Sequence, residues 1–166
     1  MDTLIAVDVT PRWLYGHTLS DPDPIPESAA MAQIHQRLNL LMTAASPGFG
    51  DLANVRTVIA VELEHLHRIR LGGLLQDDRL LLCGVYGDEC VFSVAKRLRR
   101  RSYSVALLAD ACLWSAPLDV LLADAPTARE LNTVPRLRAI DLWPNLATLA
   151  AEANLPGLWA GDPPSF

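Results

Sequence analysis

The residues of this chain that could do chemistry are three cysteines, four histidines and the acids that close its apolar runs. Cys90 stands apart. In LLLCGVYGDECVFSVAKRLRRR (Leu80 to Arg101) an apolar run ends in Gly84-Val85, a short polar turn follows, and Cys90 heads a helical pattern. In the first turn of a helix, unpaired N–H groups and the positive end of the dipole favour thiolate over thiol. That would draw the pKa below the free value of ~8.5. The same N–H groups could hold the oxyanion of a tetrahedral intermediate. A nucleophile at a strand-turn-helix elbow is a recurring solution in hydrolases. Asp8, near the end of the run LIAVDV (Leu4 to Val9), could be the group that handles the proton. The plain alternatives stand beside these readings. Cysteine is often buried as a small apolar side chain, the reading given to Cys83 and Cys112, and an aspartate after a strand often caps a turn.

These residues need elements to position them. The runs LIAVDV, VRTVIAVEL (Val55 to Leu63), RLLLCGV (Arg79 to Val85) and SYSVALLAD (Ser102 to Asp110) read as buried strands. LRAIDLW (Leu137 to Trp143) reads as a fifth. Between them lie helical patterns: Ala29 to Ala45 behind a Ser28 cap, a weaker Gly-interrupted stretch from Glu64 to Asp78, and Glu89 to Arg101. Two short helices around Pro126 and a last one over Asn145 to Asn154 follow. Strands alternating with helices imply a three-layer α/β/α fold with a mostly parallel sheet, Rossmann-like in plan. Ligands of such sheets bind outside the C-terminal ends of the strands, near a switch point. That rule puts Asp8, Glu62, Val85, Tyr86 and Asp110 on the functional edge.

At 166 residues and 51% apolar composition, one domain spanning 1–166 is expected, with a proline-rich loop at 20–28 and an irregular tail at 157–166. MDTLIAVDVT does not read as a signal peptide, and no apolar run reaches the ~18 residues of a membrane span. A cytoplasmic protein without membrane partners is expected. The net charge of −5 argues against nucleic acid. The basic cluster Lys96 to Arg101 reads as the C-terminal end of a helix. Three cysteines without paired spacing suit neither a disulfide framework nor a zinc ribbon.

The order of motifs resembles the isochorismatase-like cysteine hydrolases, which include nicotinamidases and other small amidases. The family opens with a strand of the type LIVVDMQ; here it is LIAVDVT, with Asp8 in register. It carries GV-x-T-D-x-CV before a helix; here it is GVYGDECVFSVAKRL, with Cys90 in the nucleophile position. A Gly-Tyr-Val strand ending in Asp-Ala corresponds to RSYSVALLADACLWSA. The matches cover roughly half the chain. The resemblance implies that a thiolate attacks a carbonyl, that an aspartate and a lysine manage protons and charge, and that a covalent acyl-enzyme is hydrolysed. It also implies a cis peptide at Val85-Tyr86 shaping the oxyanion hole, while Glu62 is expected beside the substrate pocket from its place at a strand end. No cofactor follows from it.

The pattern breaks at the lysine. The family lysine lies between the second and third strands, and that interval contains none here. The single lysine of the chain, Lys96, falls about 240° around the helix and ~9 Å along it from Cys90. Arg56 would sit at the wrong edge of the sheet, while His65 or His67 could shuttle a proton if their loop folds back. The same segment, with Glu62 and Glu64, holds metal-competent residues, yet its alternation reads as plain surface, so no metal is expected. Gly87 replaces the usual Thr, and Tyr86 would narrow the pocket. Two functions remain open: a cysteine hydrolase acting on an amide or related C–N bond of a small molecule, or a degenerate relative serving as a binding or assembly subunit. A homo-oligomer would fit family habit. Trp114, Trp143 and Trp159 would suit its contact, although core or tail packing explains each more simply.

Overall fold

The computed structural model describes residues 1–9, 28–46, 48–61 and 78–166. The apolar runs form β1 (Asp2–Val7), β2 (Val55–Val61), β3 (Arg79–Val85) and β4 (Ser104–Leu113), joined by a two-residue β5 (Arg136–Leu137). The sheet runs β2-β1-β3-β4-β5 and every pairing is parallel. The helices are α1 (Ala29–Ala45), α2 (Cys90–Arg99), α3 (Leu118–Ala123), α4 (Ala125–Leu131), α5 (Ala139–Leu142) and α6 (Leu146–Glu152). Among the described residues, no helix is long and apolar enough to cross a membrane.

Side chains on a strand alternate between faces, and here both faces are covered, which is why the strands are apolar at nearly every position. Leu4, Ala6, Leu81, Cys83, Ala106 and Leu108 pack against Ile34, Leu38 and Leu41 of α1 and Leu146 of α6. Ile5, Val7, Leu80, Leu82, Val105 and Leu107 pack against Val91, Val94, Ala95 and Leu98 of α2 and Leu131 of α4. The result is a Rossmann-like α/β arrangement of three layers. Ser28 caps α1 as expected, its hydroxyl accepting from Met31 N at 3.1 Å.

The strand order explains where a site can form. From β1 the chain crosses to β2 on one side, then returns to β3 on the other side of β1. Right-handed crossovers in opposite directions put α1 and α2 on opposite faces and make the C-terminal ends of β1 and β3 the topological switch point, where ligands of such sheets bind.

Two expectations need correction. LRAIDLW is a strand only at Arg136–Leu137, and α5 takes over from Ala139. β4 does not stop at Asp110 but runs on to Leu113, through a register shift opposite Leu82 to Gly84. The tail also has an ordered end: Ser165 bridges Trp114, with Trp114 N donating to Pro164 O and Phe166 N to Trp114 O. The weak helix expected over 64–78 and most of the loop 20–28 lie outside the described residues.

Candidate active site

Asp8 follows β1 directly and has a φ of 55°, left-handed backbone that aspartate tolerates better than most residues. The neighbouring strand β3 ends at Val85, and α2 starts at Cys90, so the elbow is the four residues between. Gly84 allows the two strands to meet. Its φ is 126°, and a Cβ there would lie 2.1 Å from Val7 O, so no other residue fits beside β1.

The elbow is braced from several sides. Tyr86 O accepts from Glu89 N at 3.2 Å and Val91 N at 3.1 Å, which closes the turn onto the helix. Gly87 N donates to Leu113 O at 2.8 Å, tying the turn to the end of β4. The Asp88 carboxylate accepts from Ser115 N at 3.0 Å and from the Ser115 hydroxyl. Gly87 lies against Trp114: a Cβ added at 87 would come within 2.9 Å of the indole. A Thr at this position, as in the resembled motif, would not fit, since the indole occupies the space its side chain would need. The peptide bond between Val85 and Tyr86 is cis, where the resemblance implied one.

Cys90 is partly buried at the first position of α2, close enough to the Asp8 carboxylate and to the Tyr86 backbone for both to act on its thiol electrostatically. The structure thus brings together Cys90, Asp8 and the Val85-Tyr86 peptide. The expected thiolate is overturned. Burial pushes the Cys90 thiol up to about 11, the Asp8 hydrogen bond and charge push the same way, and Glu89 adds to them. The Tyr86 N–H opposes these without offsetting them. A second negative charge beside a carboxylate is disfavoured more than one helix terminus favours it. At neutral pH this site holds a thiol beside a carboxylate.

The other expected residues separate from this group. Asp110 is fully buried in β4, its carboxylate accepting from Ala139 N at 2.6 Å and Ile140 N at 3.1 Å, so it anchors the start of α5 and is no open edge acid. Lys96 pairs with Glu130 of α4 at 2.6 Å and lies over the Phe92 ring, away from the elbow as its spacing foretold. Trp114, Trp143 and Trp159 are buried, which removes them as contacts between copies. Cys83 and Cys112 are fully buried thiols. Glu62, Glu64, His65 and His67 lie outside the described residues, among which no group of three or more metal-competent side chains occurs.

Sequence reading missed the Asp88–Ser115 and Gly87–Trp114 braces. Their partners are 27 residues apart in each case, so no local pattern marks them. No family model, no curated protein and no solved structure matches this chain.

Proposed function

We propose that the protein is a cysteine hydrolase of the isochorismatase-like type, acting on an amide or related C–N bond of a small molecule. The observation that carries this reading is the proximity of the Cys90 thiol and the Asp8 carboxylate at the C-terminal ends of the neighbouring strands β1 and β3. Asp8 takes the thiol proton as sulfur attacks the carbonyl carbon, so the thiolate forms in the transition state rather than before it. The Tyr86 N–H and the open N–H groups of the first turn of α2 receive the developing oxyanion. Collapse of the tetrahedral intermediate breaks the C–N bond, and protonated Asp8 returns its proton to the departing nitrogen. A thioester remains on Cys90. Asp8, again a carboxylate, deprotonates the water that hydrolyses it.

The test is intact-mass analysis after incubation with small primary amides and with p-nitrophenyl esters, which acylate more readily. An acyl mass added at Cys90, absent from Cys90→Ser, supports the reading. No adduct and no turnover with either substrate class would remove it. The second reading, a degenerate relative that binds or assembles without hydrolysis, is favoured by the thiol held at about 11 and by a sole lysine engaged with Glu130.

A further inference from the structure

A second concave feature lies at the β5 end of the sheet and arises from the shortness of that strand. Arg136 and Leu137 pair only with Leu107 and Leu108 of β4. β4 continues to Leu113, but the chain after Leu137 leaves the sheet for α5, and the tail reaches β4 only at Trp114. The gap is a cavity of about 450 Å³. That is within the range of small-molecule sites, ~300–1,000 Å³.

Its lining divides by chemistry. Ala109, Leu118, Leu137, Leu142 and Pro163 are apolar, and Arg136, Arg138, Asp141 and Asp162 bring two charges of each sign. Among the described residues none of these four enters an ion pair. Arg136 donates to Leu131 O at 3.0 Å and Asn132 Oδ1 at 2.7 Å, both uncharged acceptors, so its charge is not neutralised and part of its donor fork is unused. Burial also pushes its guanidinium pKa down, the sign of a partly desolvated cation. Among the described residues, no hydrogen bond or ion pair is made by the side chains of Arg138, Asp141 and Asp162. Opposite charges held apart around an apolar floor match one kind of occupant: a small body with an anionic group, a cationic group and an apolar side.

We infer that this cleft binds a free apolar α-amino acid, its carboxylate toward Arg136 or Arg138 and its ammonium toward Asp141 or Asp162. The site is separate from the elbow and does not depend on the hydrolase reading. An Arg–carboxylate contact is charge-assisted and supplies orientation as well as affinity.

Isothermal titration calorimetry of the full chain tests this with L-leucine, L-phenylalanine, N-acetyl-leucine and leucinamide. At least one free amino acid should bind saturably. Its N-acetyl and amide forms, each lacking one charge, should bind roughly tenfold more weakly, the loss of about one charged hydrogen bond. Arg138→Gln and Asp141→Asn, both at exposed positions, should each weaken binding to a similar degree without changing Tm, whereas Cys90→Ser should leave it intact. If either variant lowers Tm, Asp162→Asn serves in its place. No saturable binding of either amino acid, equal binding of the blocked forms, indifference to the charge variants or loss of binding in Cys90→Ser would each overturn the inference.

Discussion

Burial first, and the Asp8 carboxylate after it, set the state of the Cys90 thiol. The Asp8 hydrogen bond and charge both hold the proton on Cys90. Asp8→Asn therefore lowers the thiol pKa from about 11 toward the ordinary 9.0, and does not reach it because burial, the largest cause, remains. Mass-mapped alkylation by iodoacetamide across pH 7–11 reads this directly. The variant should react faster at Cys90 at neutral pH and, on the proposed mechanism, lose acyl transfer with its base. An unchanged profile would show that Asp8 does not govern the thiol. Both residues were legible in the sequence because each sits at a local boundary, a strand end or a strand-turn-helix. The acid-base state was not legible. It depends on β1 and β3 being neighbours and on burial of the elbow, and neither is written in local spacing.

At the scale of elements, the close contacts beneath the elbow make two glycines irreplaceable for different reasons. Gly84→Ala forces a Cβ into Val7 O on left-handed backbone, and β1 and β3 cannot part without losing their ladder. We expect a loss of about 3 kcal/mol in urea unfolding. Gly87→Thr collides with a side chain, so its damage is conditional. It should cost ~1–3 kcal/mol alone, and less when combined with Trp114→Leu than the two single losses add up to. Additive losses would show that the indole does not set the constraint. The four long strands and α1 were readable because buried strands and capped helices carry strong periodic signals. β5 was misread. Leu137 to Trp143 has the apolar content of a strand, and its conversion to α5 is fixed by Asp110 accepting the Ala139 and Ile140 N–H groups across 29 and 30 residues.

Across the whole molecule, Arg37 joins parts distant in sequence. It is fully buried, and its guanidinium donates to Leu158 O at 2.7 Å, Asp110 O at 2.8 Å and Ala160 O at 3.2 Å, tying α1 to β4 and the C-terminal segment. Arg37→Leu leaves three carbonyls without their donors and should cost about 3 kcal/mol or more. Arg37→Lys should rescue little, because an ammonium lacks the planar fork. The cysteines set a second global property. Burial pushes Cys83 up to about 12 and Cys112 well above the ordinary range. Below pH 9 these thiols are protonated in folded and unfolded chains alike. Above it the unfolded chain releases protons that the folded one retains, so stability falls as pH rises, by ~1.4 kcal/mol per pH unit for each fully buried thiol. Cys90 is more open to solvent and adds less. Urea midpoints at pH 8, 9 and 10 should descend, and Cys83→Ala should flatten the slope. A level profile would contradict this.

The indole of Trp114 lies against Gly87, next to the cis Val85-Tyr86 peptide of the elbow, and donates its own N–H to Ala109 O at 2.9 Å. The protein therefore carries an optical probe under its own elbow. A tryptophan sealed from water emits in the blue, and its intensity responds to small movements of the polar groups packed on it. Occupation of the elbow should become observable in a stopped-flow fluorimeter without any label; Trp143 and Trp159 lie on the opposite face of the sheet, and a Trp13→Phe background removes the fourth indole of the chain.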